Sequence, residues 1–302
     1  MLDVGNGHSV YWECCGNPDG TPVLFLHGGP GSGCSETSRK MFDPQSHRAI
    51  LFDQRGCGRS RPLASEQDAD LTTNTTQHLI DDIERLRRLL RIEKWTVLGA
   101  SWGTTLGLAY AQTHTECVVA LVLALVTTTS CREVEWITKG VGRLFPQEWE
   151  SFAAAVPSNL RDRRLVDAYA EMLFDADLAV RELAARKWCE WEDAHVSLSP
   201  DWKPNPRFQD AAFRLGFSRL VTHYWRNAAF LGDELLRDAP LLNGIPGEMI
   251  HGRYDVSSPL ETAWCLSKRW NTSKLQILDN AGHGGRTSIF DAIALALGRV
   301  AN

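Results

Sequence analysis

Ser101 stands in Gly99-Ala100-Ser101-Trp102-Gly103, between the β-rich segment Lys94-Trp95-Thr96-Val97-Leu98 and the largely apolar run Thr104-Thr105-Leu106-Gly107-Leu108-Ala109-Tyr110-Ala111. A strand, a tight turn with serine at its apex and a helix together make a mount for a nucleophile. At such an apex the serine backbone is strained. Side chains two residues before or after it would collide with the strand and helix that the turn joins, so glycine is required there. The strain lifts the hydroxyl clear of the sheet, where a base can reach it.

A serine hydroxyl needs a base to attack at neutral pH, and the base needs an acid to orient it. Downstream, Asp255 ends His251-Gly252-Arg253-Tyr254-Asp255 and His283 lies in Asn280-Ala281-Gly282-His283-Gly284, each just past a β-type run. Serine, then aspartate, then histidine is the order expected of an α/β-hydrolase. Both positions are loops at the sheet edge expected to carry Ser101. Asp279 is too close in sequence to His283 to orient it. His251 reads as a satisfied structural histidine, and His223 falls in a helical stretch. Ser101, Asp255 and His283 are therefore the expected catalytic set.

Acyl transfer also needs hydrogen-bond donors for the oxyanion. The backbone of Trp102, next after the serine, supplies one. His27-Gly28-Gly29-Pro30 follows an early apolar strand and has the form of a loop that supplies the other, with Gly29 as the expected donor.

The elements that must hold these residues follow from apolar spacing. His8–Cys14 alternates and predicts a strand. Pro22–Leu26, Ala49–Asp53, Val118–Val126, Gly247–Gly252 and Lys274–Leu278 read as further strands, and Thr75–Arg91 has helical periodicity. Short apolar strands alternating with helices predict an α/β fold: a mostly parallel sheet with helices on both faces. From about residue 131 to 239 the chain turns helical, charged and tryptophan-rich (Trp136, Trp149, Trp188, Trp191, Trp202, Trp225). The expected organisation is a core of residues 1–130 and 240–302 with a helical cap, 131–239, over the active edge.

Composition narrows the function. The 302 residues carry a formal net charge of −5 and no basic run, which argues against a nucleic-acid partner. Arg85, Arg87, Arg88 and Arg91 alternate with leucines and read as a solvated helix face. The longest apolar stretch, Cys117–Val126, is too short for a membrane span. Eight cysteines lack metal-type spacing, and no secretory pattern opens the chain. Free thiols in a cytoplasmic setting, no metal, no cofactor and a small substrate are the expectations; spacing gives no oligomeric state.

Taken together, His27-Gly28-Gly29-Pro30-Gly31, Asp53-Gln54-Arg55-Gly56-Cys57-Gly58-Arg59-Ser60, Gly99 to Leu106 and His251 to Asp255 resemble the proline iminopeptidases, or prolyl aminopeptidases. These are serine peptidases of the α/β-hydrolase fold, and the resemblance runs from Tyr11-Trp12-Glu13 to Gly282-His283. It implies release of an N-terminal proline from short peptides through an acyl-enzyme. It also implies that acidic cap residues bind the substrate's free amine. Glu192, in Trp188-Cys189-Glu190-Trp191-Glu192, falls on the acidic position, where a carboxylate would pair with the cationic amine and fix the scissile bond by distance. The sequence departs from the family at Val221, where a second glutamate is usual, at Ala100, where glycine is usual, and at Gly284-Gly285-Arg286. Val221 keeps a second reading open: a repurposed esterase, amidase or acyltransferase.

Overall fold

The computed structural model describes residues 1–284 and 287–300. Strands β1 (Leu2–Gly5) and β2 (His8–Val10) pair in a small antiparallel sheet. The main sheet contains β3 (Trp12–Gly16), β4 (Thr21–Leu26), β5 (His47–Phe52), β6 (Trp95–Ala100), β7 (Val118–Ala124), β8 (Gly247–Gly252) and β9 (Ser273–Leu278). Their spatial order is β3-β5-β4-β6-β7-β8-β9. Only β3 runs antiparallel to its neighbour; the other pairs are parallel.

The sequence expectation of one strand from His8 to Cys14 is corrected. It splits at Tyr11, whose N–H donates to the Ser60 hydroxyl and whose carbonyl accepts from Asp53 N–H. Those bonds redirect the chain from the small sheet into the large one.

The central strands are apolar throughout because helices cover both faces. On one face Leu79 and Ile83 of helix Thr76–Leu89 pack with Leu106 and Tyr110 of helix Trp102–Thr113. On the other, Ile289, Ile293 and Ala296 of helix Thr287–Val300 lie against Val23, Leu98 and Val122. Helix Thr76–Leu89 starts where the Thr75 hydroxyl accepts a bond from His78 N–H, the usual work of an N-cap threonine. Its Arg87 and Arg88 reach back to Glu84.

Between β7 and β8 the described residues form helices and turns and no strand. The longest helices there, Leu178–His195 and Ala211–Arg226, pack together around their own aromatic cluster. Phe152 stacks between Tyr169 and Trp191, with centroids 4.4 and 5.4 Å away. Polar bonds tie this layer to the loops that follow β5 and β8. Arg219 donates to the carbonyls of Ala64 and Glu66, Tyr224 OH to Asn74 Oδ1 at 2.6 Å, and Trp136 Nε1 to the Val256 carbonyl at 2.8 Å.

The loop after β5 is held by a buried ion pair. Arg55 Nε and Nη2 reach the two Asp82 oxygens at 2.6 and 2.7 Å, and the guanidinium also donates to the carbonyls of Thr73 and Val4. Both side chains are almost wholly buried. Removing one charge strands the other in a low-dielectric interior, which costs about 3–5 kcal/mol. Asp82→Asn is therefore expected to lower the thermal unfolding midpoint by several degrees, as read by circular dichroism.

Candidate active site

The carboxyl ends of the parallel strands bring the chemistry together. Ser101 directly follows β6, Asp255 lies three residues past β8, and His283 five past β9. Ser101 has φ 55° and ψ −124°, a strained conformation for a residue with a side chain. Two contacts hold it there. Its N–H donates to the Ala124 carbonyl at 2.9 Å, and its carbonyl accepts from the N–H and hydroxyl of Thr104, each at 2.7 Å. A methyl group on Gly103 would overlap the Leu26 carbonyl, and one on Gly99 would overlap the Gly103 carbonyl. That is why the turn carries glycine on both sides of Ser101.

His283 Nε2 lies 2.9 Å from Ser101 Oγ, and its Nδ1 lies 2.8 Å from Asp255 Oδ2. Asp255 is buried, and its second oxygen accepts from Ser258 N–H at 2.8 Å. Burial alone would raise the Asp255 pKa. The His283 charge and hydrogen bond outweigh it and hold the carboxyl below its usual range. Burial likewise disfavours charged His283, but the Asp255 carboxylate, its bond and the Glu192 charge outweigh it and raise the imidazole pKa.

The competing residues are engaged elsewhere. His251 accepts from Val126 N–H at Nδ1 and donates from Nε2 to the Ser258 carbonyl, so both ring nitrogens are used. Asp279 pairs with Arg253 at 2.6 Å on the surface. His223 Nε2 lies 2.8 Å from the Asn74 carbonyl. The Cys34 and Cys57 thiols, in the loops beside His27, are pushed up by burial and stay protonated.

Gly29 and Trp102 line the same cleft as Ser101 and His283. A methyl group on Gly28 would sit 3.1 Å from the Ala100 carbonyl oxygen and 3.2 Å from Ser101 Cβ, tighter than ordinary packing. Gln54 joins the two loops expected to carry the oxyanion donors, a link the motif alone does not reveal. Its N–H donates to His27 Nε2 at 3.0 Å, its side-chain amide donates to the His27 carbonyl at 3.1 Å, and its Oε1 accepts from Trp102 Nε1 at 2.8 Å. The side-chain bonds cross from the loop after β5 to both neighbours, a connection spacing does not encode.

The cleft opens to solvent, and its space, mouth included, amounts to about 470 Å3. Its far wall comes from the helical layer: Glu133, Val134, Ile137, Glu192, His195 and Trp225. Glu192 thus faces Ser101 across the cleft, its Oε1 accepting from Trp188 Nε1 at 3.1 Å. Val221 does not line it. The side chain is fully buried in the aromatic cluster of the helical layer, where an apolar residue packs well. Ala100 is half-buried against the sheet core. Of the third departure, Gly285 and Arg286 lie outside the described residues. Glu133 and His195 were missed at the sequence level. Ser130-x-x-Glu133 is a capping box, and His195 sits one turn after Glu192, but neither pattern by itself points into a cleft.

The alpha/beta hydrolase fold family matches residues 21–285. A probable proline iminopeptidase of Streptomyces coelicolor is 49% identical over 100% of this chain and 94% of its own length. The chain belongs to the proline iminopeptidase family of α/β hydrolases. A proline iminopeptidase of Xylella fastidiosa is 46% identical over 94% of this chain and 90% of its own, and one of Arabidopsis thaliana 41% over 93% and 74%. The crystal structure of proline iminopeptidase from Mycobacterium smegmatis covers 98% of this chain and 96% of its own at a TM-score of 0.66 and 20% identity. The esterase from Exiguobacterium antarcticum does so over the same shares at 0.61 and 18%, so the family fold accommodates both. Among the described residues no group of acidic, cysteine or histidine side chains is placed to hold a metal, and no helix is long and apolar enough to cross a membrane.

A base must be unprotonated to take the serine proton, so a raised His283 pKa moves the acidic limb of the rate profile upward. With a p-nitrophenyl ester, kcat/KM is expected to rise through a midpoint above the ordinary histidine value of about 6.5. Glu192→Gln removes one of the charges that raise it, and the midpoint is expected to fall. A limb at the same pH in both proteins would contradict the placement of the Glu192 charge beside His283.

Proposed function

We propose that the chain is a serine aminopeptidase that releases an N-terminal proline from short peptides through an acyl-enzyme on Ser101. The observation that carries this reading is the 2.9 Å contact between His283 Nε2 and Ser101 Oγ in a cleft whose opposite wall presents Glu192. His283 takes the hydroxyl proton as Ser101 Oγ attacks the prolyl carbonyl carbon. Asp255 holds the Nδ1–H and stabilises the imidazolium that forms. The backbone N–H groups of Gly29 and Trp102 take the oxyanion of the tetrahedral intermediate. Collapse breaks the amide bond, and His283 returns its proton to the departing amine. Water then enters, gives a proton to His283, attacks the acyl ester and releases proline as Ser101 recovers its proton.

Glu192 supplies the distance constraint. A carboxylate paired with the cationic imino nitrogen sets how far into the chain the reacting carbonyl can lie, so one residue is removed at a time. Segment 131–239 then acts as a cap that carries the amine pole, over a core of residues 1–130 and 240–302. Eight unpaired cysteines fit a reducing, cytoplasmic setting, and the acidic net charge fits a peptide rather than a nucleic-acid partner.

The test is release of p-nitroaniline from L-proline p-nitroanilide beside hydrolysis of p-nitrophenyl butyrate. Proline turnover is expected from the native chain, and Ser101→Ala is expected to lose at least about 10⁴-fold in kcat while remaining folded. Ester turnover without proline turnover would overturn the aminopeptidase reading in favour of a repurposed esterase.

A further inference from the structure

His251, near the carboxyl end of β8, is wholly buried, and each of its ring nitrogens meets a partner that can act in only one way. At Nδ1 the partner is Val126 N–H, 3.1 Å away, which can only donate. At Nε2 it is the Ser258 carbonyl, 2.8 Å away, which can only accept. The ring therefore carries its single proton on Nε2.

The two bonds reach different parts of the catalytic set. Val126 lies in the loop after β7, which holds the serine turn. There the Ala124 carbonyl accepts Ser101 N–H, and Thr127 N–H donates to Thr104 Oγ1 at 2.9 Å, beside the clamp on the Ser101 carbonyl. Ser258 lies in the loop after β8, and its N–H donates to Asp255 Oδ1 at 2.8 Å. It precedes Pro259, and a residue before proline is confined to extended backbone. A bond that fixes the Ser258 carbonyl therefore also fixes where its N–H points. Asp255 Oδ2 meets His283 while Oδ1 meets Ser258, so the direction of that N–H sets the plane of the carboxylate. The donor edge of the His251 ring also faces the acid, with Nε2 3.7 Å from Asp255 Oδ2.

We propose that His251 is a positioning residue for the catalytic acid: through Ser258 it aims the Asp255 carboxylate at His283, while Val126 anchors the ring to the loop that holds Ser101. The ring touches no reacting atom. Its nitrogens do separable work, Nε2 for the acid and Nδ1 for the fold. The inference needs Ser101, Asp255 and His283 as the catalytic set but not the identity of the acyl group, so it reaches beyond the aminopeptidase reading and is testable on an ester.

Two amide side chains separate the two jobs. Glutamine places its amide nitrogen near the position of Nε2, and asparagine its amide oxygen near that of Nδ1. His251→Gln thus keeps the donor to Ser258 and leaves Val126 N–H unpaired, while His251→Asn keeps the acceptor for Val126 and releases Ser258. Each variant gives up one buried hydrogen bond, so both are expected to lose similar stability, read as the unfolding midpoint. Hydrolysis of p-nitrophenyl butyrate is expected to divide them. His251→Asn is expected to lose about 30- to 100-fold in kcat with little change in KM, the scale of a catalytic group misplaced by an ångström, and His251→Gln to stay within about threefold of native. The pH profile gives a second reading. His283 faces Asp255, Glu192 and Ser101, and Asp255 faces His283 and His251. A misaimed Asp255 supports the imidazolium less, so the acidic limb of kcat/KM is expected to move down in His251→Asn and to stay in place in His251→Gln. Equal kinetic losses in the two variants, or an acidic limb unmoved in His251→Asn, would overturn the inference. Should neither variant fold, nitrogen NMR of the native chain labelled at histidine reads the tautomer directly: a proton on Nε2 is expected, and one on Nδ1 would overturn the inference. A Ser101→Ala chain that still hydrolysed the ester would overturn the catalytic set, and this inference with it.

Discussion

The left-handed backbone of Ser101 is the constraint on which the rest of the molecule depends. A residue with a side chain at φ 55° is disfavoured by about 1–3 kcal/mol and persists only where its surroundings over-determine it. Here they do so from three sides. β7 accepts the serine N–H, Thr104 clamps its carbonyl, and the β4 carbonyl at Leu26 comes so near Gly103 that no side chain fits between. The parallel sheet is what makes this convergence possible, because β4, β6 and β7 end side by side with their carboxyl ends on one edge. The same edge delivers the Asp255 loop and the His283 loop from β8 and β9.

Electrostatics then divides the cleft into two poles. On the sheet side, buried Asp255 stays ionised because His283 supplies both charge and a proton, and it raises the imidazole pKa in return. On the helical side, Glu192 adds negative charge close enough to act on the same imidazole. A substrate cation held by Glu192 would offset that charge, so substrate binding and base strength are coupled through one carboxylate. Gln54 has a mechanical part in the arrangement. It fastens the loops of His27 and Trp102 to each other, so that the two expected oxyanion donors move as one unit.

Much of this was legible in the sequence because local sterics and strand ends wrote it there. Glycine at 99 and 103 answered to overlaps that a methyl group would create, and the apolar runs of the central strands answered to burial on both faces. The order of Ser101, Asp255 and His283 followed from which strands precede them. The break at Tyr11 was not legible, because a hydroxyl 49 residues away causes it. Nor were the five hydrogen-bond donors that Glu133 collects or the Ser257 contact of His195. Both depend on which donors and acceptors arrive from distant segments, Thr262 in one case and Ser257 in the other. Val221 stands where the family usually carries a glutamate, and it packs as a core residue of the helical layer.

The central claim is that a charged N-terminal imino group, anchored on Glu192, brings the prolyl carbonyl to Ser101. Its most direct measurement is the ratio of kcat/KM for L-proline p-nitroanilide to that for N-acetyl-L-proline p-nitroanilide, in the native chain and in Glu192→Gln. A large ratio that collapses in the variant is expected, because acetylation removes the charge that the carboxylate holds. Equal rates on free and blocked substrates in the native chain, or a ratio indifferent to Glu192, would contradict it.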